Sequence, residues 1–502
     1  MDLAHRDRAV AELAGRRFDL LVVGGGIIGA GIAAEAARAG LAVAIVDRAD
    51  FGAGTSSASS KLIHGGLRYL RLGDVRLVRE AHAERRILMR VVAPHLVQRL
   101  PFLLPLYDAG PYRPLVVQTG IVLYSTLARA RLNGLVRPER ARGLVPDLAT
   151  DGLRSCALYA DSSTHDSRLC LANVRAATEA GATALNYAEV VEVRNGSATV
   201  AVAGDHLDVR ARVVVNASGP WVDHVRRLED TRAGRSVRLS KGVHVLLEPR
   251  THWGAALTIP HDRVRVSFAI PWQDMLLLGT TDTLFEGDPE DARVTERDVD
   301  QVLAEAASAL DPELLGRDRI RATFVGLRVL PGGDGATISA RRETVFTRGR
   351  TGMLTVAGGK LTTYRRIALD ALAAVRGELG LHRVDARPRP LPGAAGLDRV
   401  SFPDELEPRV RSHLLHLYGS LAEEMLAPAA EDPSLLEPLH PHAPELRAEA
   451  LYARTHEWAC GADDVLRRRT TLALRGLATD EVVRKVNELL VPPAAAPASE
   501  RR

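Results

Sequence analysis

The sequence predicts an α/β fold in which a nucleotide-binding part and a β-rich part interleave, followed by a helical C-terminal domain. Three observations point there. A strand, glycine turn and helix pattern appears near the start, around Asn216 and again before Lys360. From Val237 to Thr347 the signals are mostly β. Beyond the proline-rich "RPRPLPGAAG" the pattern is mostly helical.

The elements follow in order. In "FDLLVVGGGIIGAGIAAEAARAGLAVAIVDR" the apolar run Leu20–Val23 has the character of a parallel strand buried on both faces. Gly40 ends the next helix and Leu41–Val46 forms a second strand. Asp74 to Met89 reads as helix. Arg99 to Ala130 is apolar but broken by Pro101, Pro105, Pro111 and Pro114. Asp166 to Ala180 is helical, and "VRARVVVNASGPWVDHV" gives strand, turn and helix. The strands "VHVLLEP", "RVRVSFAI", "MLLLGTTD" and "RATFVGLRVL" come next, with a helix at Glu296–Leu310 among them. "GMLTVAGGKLTTYRRIALDALAAVRGEL" returns to strand, glycines and helix. "RPRPLPGAAG" reads as a linker, and "VPPAAAPASERR" as a disordered tail.

Bulk properties exclude several classes. The chain has 502 residues, 46% of them hydrophobic, enough for more than one domain. Its net charge of +4 is spread without a basic stripe, which argues against nucleic acid. Cys156, Cys170 and Cys460 have no zinc or disulfide spacing, so no metal is expected and reduced thiols fit a cytoplasmic protein. The N-terminal stretch is charged and lacks the apolar core of a signal peptide, and no uncharged run reaches the roughly 18 residues of a spanning helix.

Gly24, Gly26 and Gly29 fit G-x-G-x-x-G after a strand and before a helix. The first glycine permits the turn, the second lets the backbone approach a pyrophosphate, and the third lets helix and strand pack closely. The helix N-terminus offers free N–H groups to phosphate. Asp47 ends the second strand, where its carboxylate can accept from ribose hydroxyls. This Rossmann-like signature predicts a dinucleotide but does not separate FAD from NAD. Shortly after it, "TSSASSKLIHGGLRYL" places hydroxyls at Thr55, Ser56, Ser57, Ser59 and Ser60 ahead of a segment that is not linker in composition.

The pieces "VVGGGIIGAGIAAEAARAGLAVAIVD", "TSSASSKLIHGGLRYL", "NASGPW", "KGVH", "GTTDT", "GLR", "GGKLTTYRR" and "HEWACGADDVLRRRT" occur in that order between about residues 18 and 475. In these the chain resembles the FAD-dependent glycerol-3-phosphate dehydrogenases. The resemblance implies a Rossmann-like FAD-binding domain (about 18–73, 150–235 and 345–380) interleaved with a β-rich substrate or cap domain of the glycine/D-amino-acid oxidase type (about 74–149 and 236–344). Together these make an oxidoreductase region over 18–385. A helical C-terminal domain follows over 396–490, with the disordered tail at 491–502.

It implies oxidation of sn-glycerol 3-phosphate to dihydroxyacetone phosphate by hydride transfer to FAD, with electrons passed to a quinone of the membrane pool. A dianionic phosphate calls for arginine forks, and Arg68, Arg328 and Arg341 are the candidates. The family pattern around the last is Ser/Thr-Arg-Asp. This chain reads "SARRE", so Arg342 is an alternative. Val329 stands where the family has a proline after Arg328. Strand alternation puts Arg328 on the face of Phe324 and Gly326, and Gly326 would leave room for a ligand.

For the cofactor, the resemblance implies contacts from Thr55, Ser56, Ser57, Ser60 and Lys61, and from Asn216, Ser218 and Gly219 at the nucleotide half. Gly359, Lys360, Leu361 and Thr362 would face the flavin, where a helix N-terminus stabilises the charge of reduction. Lys360 would hold either that charge or a substrate oxygen. The C2 hydroxyl proton needs an acceptor, for which His64 and His244 are alternatives. Tyr69 and Thr281 would complete the pocket, while Trp221 reads as core.

"LPFLLPLYDAGPYRPLVVQTGIVLYSTLARARLNG" either lies in a membrane interface, giving peripheral attachment on the inner face of the cell membrane, or is a buried part of the cap. The chain's length favours a quinone-linked enzyme over the longer, oxygen-using glycerophosphate oxidases. The rival readings are a flavin oxidase of the same architecture acting on an amino acid or 2-hydroxy acid, and a non-catalytic flavin- or membrane-binding protein. For the C-terminal domain, docking, homodimer formation and structural support all fit.

Overall fold

The structure, a computed structural model, describes residues 3–66, 74–108, 110–112, 114–127, 134–262, 265–332 and 344–491. Arg68, Tyr69, Arg341, Arg342 and the tail from 492 lie outside the described residues.

Strands are numbered along the chain. A helix at Leu3–Gly15 precedes β1 (Arg17–Val23); then come the helix Ile27–Arg38, β2 (Val43–Val46) and β3 (Leu62–Ile63). The helix Val75–Ile87 leads to β4 (Val97–Tyr107), the helix Pro114–Leu127, β5 (Leu135–Val136), β6 (Leu153–Thr164) and the helix Asp166–Glu179. Next are β7 (Thr183–Leu185), β8 (Glu189–Arg194), β9 (Ser197–Val202) and β10 (Asp205–Asn216). After the helix Val222–Glu229 come β11 (Val237–Leu247), β12 (Ala256–Pro260), β13 (Val266–Trp272), β14 (Met275–Gly279) and β15 (Thr283–Phe285). The helix Glu296–Ala306, β16 (Ile320–Pro331), β17 (Val345–Arg348), β18 (Leu354–Ala357) and the helix Tyr364–Ala374 complete this region.

Two sheets result. The first runs β17-β18-β10-β1-β2-β7, with β9 and β8 attached beyond β10; its neighbours from β18 to β7 are parallel. Leu20, Leu21 and Val22 are fully buried because helices Ile27–Arg38, Asp166–Glu179 and Tyr364–Ala374 cover one face. The N-terminal helix and the β8–β9 hairpin cover the other. β1 lies between β2 and β10, so the chain leaves the sheet in opposite directions on its two sides. Ligands bind at such a switch point, beyond the strands' carboxyl ends.

The second sheet runs β15-β11-β14-β13-β12-β4-β6-β3, with β16 on β11 and β5 on β6. β3 and β6 lie in stretches expected to belong to the nucleotide-binding part, yet both pair here. The reason is the ladder between β4 and β6, which extends from Val97↔Thr164 to Tyr107↔Leu153 and ties β6 to the cap. The proline-broken apolar stretch divides. Its first half is β4, with Phe102 and Leu103 buried. Its second half is the helix Pro114–Leu127, which buries Ile121 and Tyr124 but leaves Leu115 76% and Val116 68% exposed. No described helix is long and apolar enough to cross a membrane.

"RPRPLPGAAG" proves to be a fixed strap rather than a loose tether. Leu391 is buried in the core, and its N–H donates to Val92 O at 2.8 Å. The C-terminal domain beyond it contains the helices Pro408–Tyr418, Arg447–His456 and Asp480–Leu490. It grips the nucleotide-binding part through buried ion pairs, among them Arg168–Glu457 at 2.6 Å.

Candidate active site

A cleft of about 500 Å³ runs between the two sheets, from the first glycine turn to the glycines before Lys360. Its nucleotide end is made by the close of β1 and the start of helix Ile27–Arg38. Gly24 takes φ +105°, and a Cβ there would meet Ala217 O at 2.7 Å, so only glycine makes this turn. Gly26 lines the cleft. Gly29 sits beneath the turn, where a Cβ would strike Gly24 O. Asp47 lines the cleft and accepts from Gly25 N at 2.6 Å and Ala49 N at 2.9 Å. Burial pushes its carboxyl up to about 6 against those two hydrogen bonds. Each carboxylate oxygen keeps acceptor capacity for a ribose hydroxyl.

The hydroxyl-rich run forms the cleft's middle wall. Ser56 Oγ accepts from Ile27 N at 2.9 Å and so caps the helix that follows the glycine turn. Thr55 Oγ1 donates to Leu327 O at 2.7 Å, tying the run to β16. Ser60 Oγ meets His244 Nε2 at 2.8 Å. Within this run two expected cofactor contacts turn away. Ser57 Oγ donates to Gly54 O, and neither Ser57 nor Lys61 lines the cleft. Lys61 is buried, pairs with Asp166 at 2.7 Å and lies 4.7 Å from the Trp272 ring centroid. A buried ammonium needs such a partner, and Asp166 also accepts from Ser59 Oγ at 2.7 Å. Lys61 therefore braces the loop from behind.

The other end collects Ser60, His64, His244, Arg328, Gly359, Lys360, Leu361 and Thr362. In the ladder between β11 and β16, Gly242 faces Gly326 and Ser240 faces Arg328. The guanidinium lies over Gly242, where a Cβ would meet Nη2 at 2.6 Å. Nη1 donates to Thr281 O at 3.0 Å and Nη2 to Thr280 Oγ1 at 2.8 Å; Asp282 lies 3.6 Å away. Gly326 lines the cleft beside the guanidinium, and a Cβ there would also run into Ala58 O at 2.4 Å, so its bare backbone admits the hydroxyl-rich loop as well. β16 continues through Val329 in register with Leu239, so Val329 keeps this strand regular. Thr281 is buried outside the cleft; its Oγ1 accepts from Val243 N, and its carbonyl orients Arg328.

His244 lines the cleft, stacked on Phe324 at 4.8 Å. Burial first, then Arg328 and Lys61, drive its pKa well below the usual value, so the imidazole is neutral. Its buried Nδ1 has no hydrogen-bond partner among the described residues. His64 is tied to the second glycine turn: its N–H donates to Thr362 Oγ1 at 3.1 Å, and that hydroxyl donates to His64 O at 3.3 Å. Beneath the next residue, Asp161 accepts from Gly65 N at 3.0 Å and from Tyr124 OH at 2.8 Å, and pairs with Arg85. Asn216 is buried outside the cleft; its Nδ2 donates to Val222 O, and its Oδ1 accepts from Ser218 Oγ at 2.7 Å. Ser218 and Gly219 line the cleft.

Residues 19–365 match the family described as FAD dependent oxidoreductase, and residues 351–496 match the C-terminal domain of alpha-glycerophosphate oxidase. The chain is 36% identical to glycerol-3-phosphate dehydrogenase 2 of Mycobacterium tuberculosis, covering 98% of this chain and 87% of that protein. The chain belongs to the FAD-dependent glycerol-3-phosphate dehydrogenase family. Within it, the glycerol-3-phosphate dehydrogenase of Bacillus halodurans, solved with FAD, superposes with a TM-score of 0.74 at 28% identity over 96% of both chains. D-erythritol 1-phosphate dehydrogenase of Brucella abortus is also 36% identical, over 90% of this chain and 94% of that one.

The cofactor of this family member is FAD, and the cleft fits it. Gly24 and Gly26 bring bare backbone to its wall at a helix N-terminus, and one continuous cleft links that helix N-terminus to a second glycine turn. Some lining residues were not foreseen. Trp221, expected in the core, lines the cleft with Arg48 stacked on it at 4.6 Å; its place in "NASGPW" was the available signal. Ala188, Glu189 and Val190 line the nucleotide end, with no motif to mark them.

Proposed function

We propose that the protein oxidises sn-glycerol 3-phosphate to dihydroxyacetone phosphate and delivers the electrons to a membrane quinone. The observation that carries this reading is Arg328, oriented by Thr280 and Thr281, at the end of the cleft where neutral His244 also lies. FAD held along this cleft would supply the acceptor for the hydride of substrate C2 and the carrier of its electrons. Arg328 binds the phosphate through its planar fork. Arg68, Tyr69 and Arg341 complete the substrate site in this reading. His244 or His64 takes the C2 hydroxyl proton; a neutral imidazole suits that step because it need not first lose a proton. Lys360 and Thr362, before the helix Tyr364–Ala374, stabilise the negative charge that develops on reduction. The remaining predicted cofactor residues on the cleft wall hold the dinucleotide.

The helix Pro114–Leu127 supports peripheral attachment at the inner face of the cell membrane. Its exposed Leu115, Val116, Val122 and Leu123 form an apolar surface suited to acyl chains and to receiving a quinone. The test is anaerobic addition of glycerol 3-phosphate to the oxidised holoenzyme. Loss of the flavin's visible absorbance is expected, while persistence of the colour refutes the reading. Bleaching by D-erythritol 1-phosphate alone would move the substrate to a longer polyol phosphate.

A further inference from the structure

The C-terminal domain reaches the nucleotide end of the cleft without lining it. Two segments flank the glycine turn at that end, Asp47–Ala53 and Asn186–Val190 (a loop running into β8), and the segment from Glu457 to Arg469 holds both. In the first loop, Asp50 is 1% exposed and Arg469 fully buried. The Arg469 fork engages both Asp50 oxygens, with Nη2 to Oδ1 at 2.9 Å, and Arg468 Nε donates to Oδ2. The next residue, Phe51, packs edge-on to Trp458 with centroids 5.4 Å apart. The same Phe51 ring lies against the glycine turn, where a Cβ on Gly25 would be 2.2 Å from its Cδ1.

In the second loop, Asn186 Nδ2 donates to Trp458 O at 2.7 Å and to Asp50 Oδ1 at 3.0 Å. Tyr187, with φ +51°, donates its hydroxyl to Asp464 Oδ1 at 2.6 Å, and Asp464 also binds Arg468 Nη2 at 2.6 Å. The loops are joined to each other by Tyr187 N to Ala49 O at 3.1 Å and Ala188 N to Asp47 O at 2.8 Å. Every contact therefore converges on the backbone that sets Asp47 against Gly25 and Ala188.

We propose that Trp458, Asp464, Arg468 and Arg469 are positioning residues for FAD, holding these two loops in the conformation that binds the cofactor's nucleotide half. The proposal rests on the reading that the Gly24–Gly29 turn takes the FAD pyrophosphate. A buried ion pair adds little net stability over apolar packing of equal volume, so a cluster of this kind is better explained by the geometry it imposes. Site residues on loops hold their places only when a surrounding layer locks them.

The test is the rate of flavin release from diluted holoenzyme, read as the rise of free-flavin fluorescence, in Trp458→Leu and Arg469→Lys. Release about tenfold faster is expected, with the bound flavin's visible spectrum unchanged and the KM for glycerol 3-phosphate in excess FAD within about twofold. Unchanged release with a lowered melting temperature would overturn the proposal and leave the segment as adhesive between domains. Faster release accompanied by a shifted spectrum and a raised KM would also overturn it, since that is general loosening. Should both variants fail to fold, Tyr187→Phe removes one hydroxyl, and release about threefold faster is expected; unchanged release there overturns the proposal. The fluorescence readout needs no substrate, so a failure of glycerol 3-phosphate to bleach the flavin would leave this test intact.

Discussion

At the glycine-turn end the cleft is walled by a glycine turn, a helix N-terminus and one carboxylate fixed by two N–H groups. At the other end it is walled by side chains on β11, β16 and the second glycine turn, where Ser60 meets His244, Thr280 holds Arg328 and Thr362 takes the His64 N–H. Backbone recognition tolerates side-chain change and tightens or loosens gradually. Side-chain recognition depends on a few orientations, so single truncations there should cost most.

The largest contrast is expected at Arg328. Arg328→Ala should lower kcat/KM for glycerol 3-phosphate by roughly 10³-fold, about 4 kcal/mol, with FAD content unchanged. Arg328→Lys should recover only part, because a point charge cannot replace the fork. Steady-state kinetics with flavin quantitation check both; an equal loss of FAD would erase the distinction between the two ends.

His244→Ala comes next. A general-base role predicts a kcat lowered by roughly 10²-fold and loss of the acidic limb of the pH profile. The same substitution at His64, with His244 retained, decides which histidine takes the proton. Gly326→Ala should displace the loop around Ala58 and weaken FAD binding by roughly tenfold, because backbone at 2.4 Å cannot yield as a flexible side chain can. Flavin titration measures it.

An effect of the same size, reached only in acid, is a pH dependence of cofactor binding. Asp47 in the cofactor-free protein has a carboxyl pKa raised to about 6 by burial. Ribose hydroxyls need the ionised acceptor, so FAD affinity should be flat above pH 7 and fall about tenfold by pH 5. The stability sign is opposite. A folded pKa above the unfolded 3.8 means this group favours the cofactor-free fold below about pH 4 and loses that contribution as pH rises through 6. Titrations at several pH values should show the dependence vanish in Asp47→Asn.

Legibility in the sequence followed the same divide. Gly24, Gly26 and Asp47 lie within one strand-turn-helix-strand unit, where spacing alone predicts position. Lys61 stands in the most specific motif of the chain, yet its partner Asp166 is over a hundred residues away. Nothing local distinguishes a lysine facing a cofactor from one buried on a carboxylate. Strand alternation puts Gly326 beside Arg328 at the cleft, but its close approach to Ala58, from the opposite part of the interleaved fold, has no local signal. β6 falls in the stretch 150–235 expected in the nucleotide-binding part, but its ladder with β4, not its own pattern, decides which sheet it joins.

By itself the sequence determined the dinucleotide turn, the interleaved architecture and the family, since these rest on local periodicity and on motifs whose order survives without coordinates. Tertiary structure alone decided which hydroxyls and cations face the cleft and that Thr280 and Thr281 orient Arg328. It also decided that the C-terminal domain stands behind the nucleotide end. Burial and hydrogen-bond saturation depend on segments from about fifty to over four hundred residues apart, and chain folding alone brings them within a few ångströms of one another.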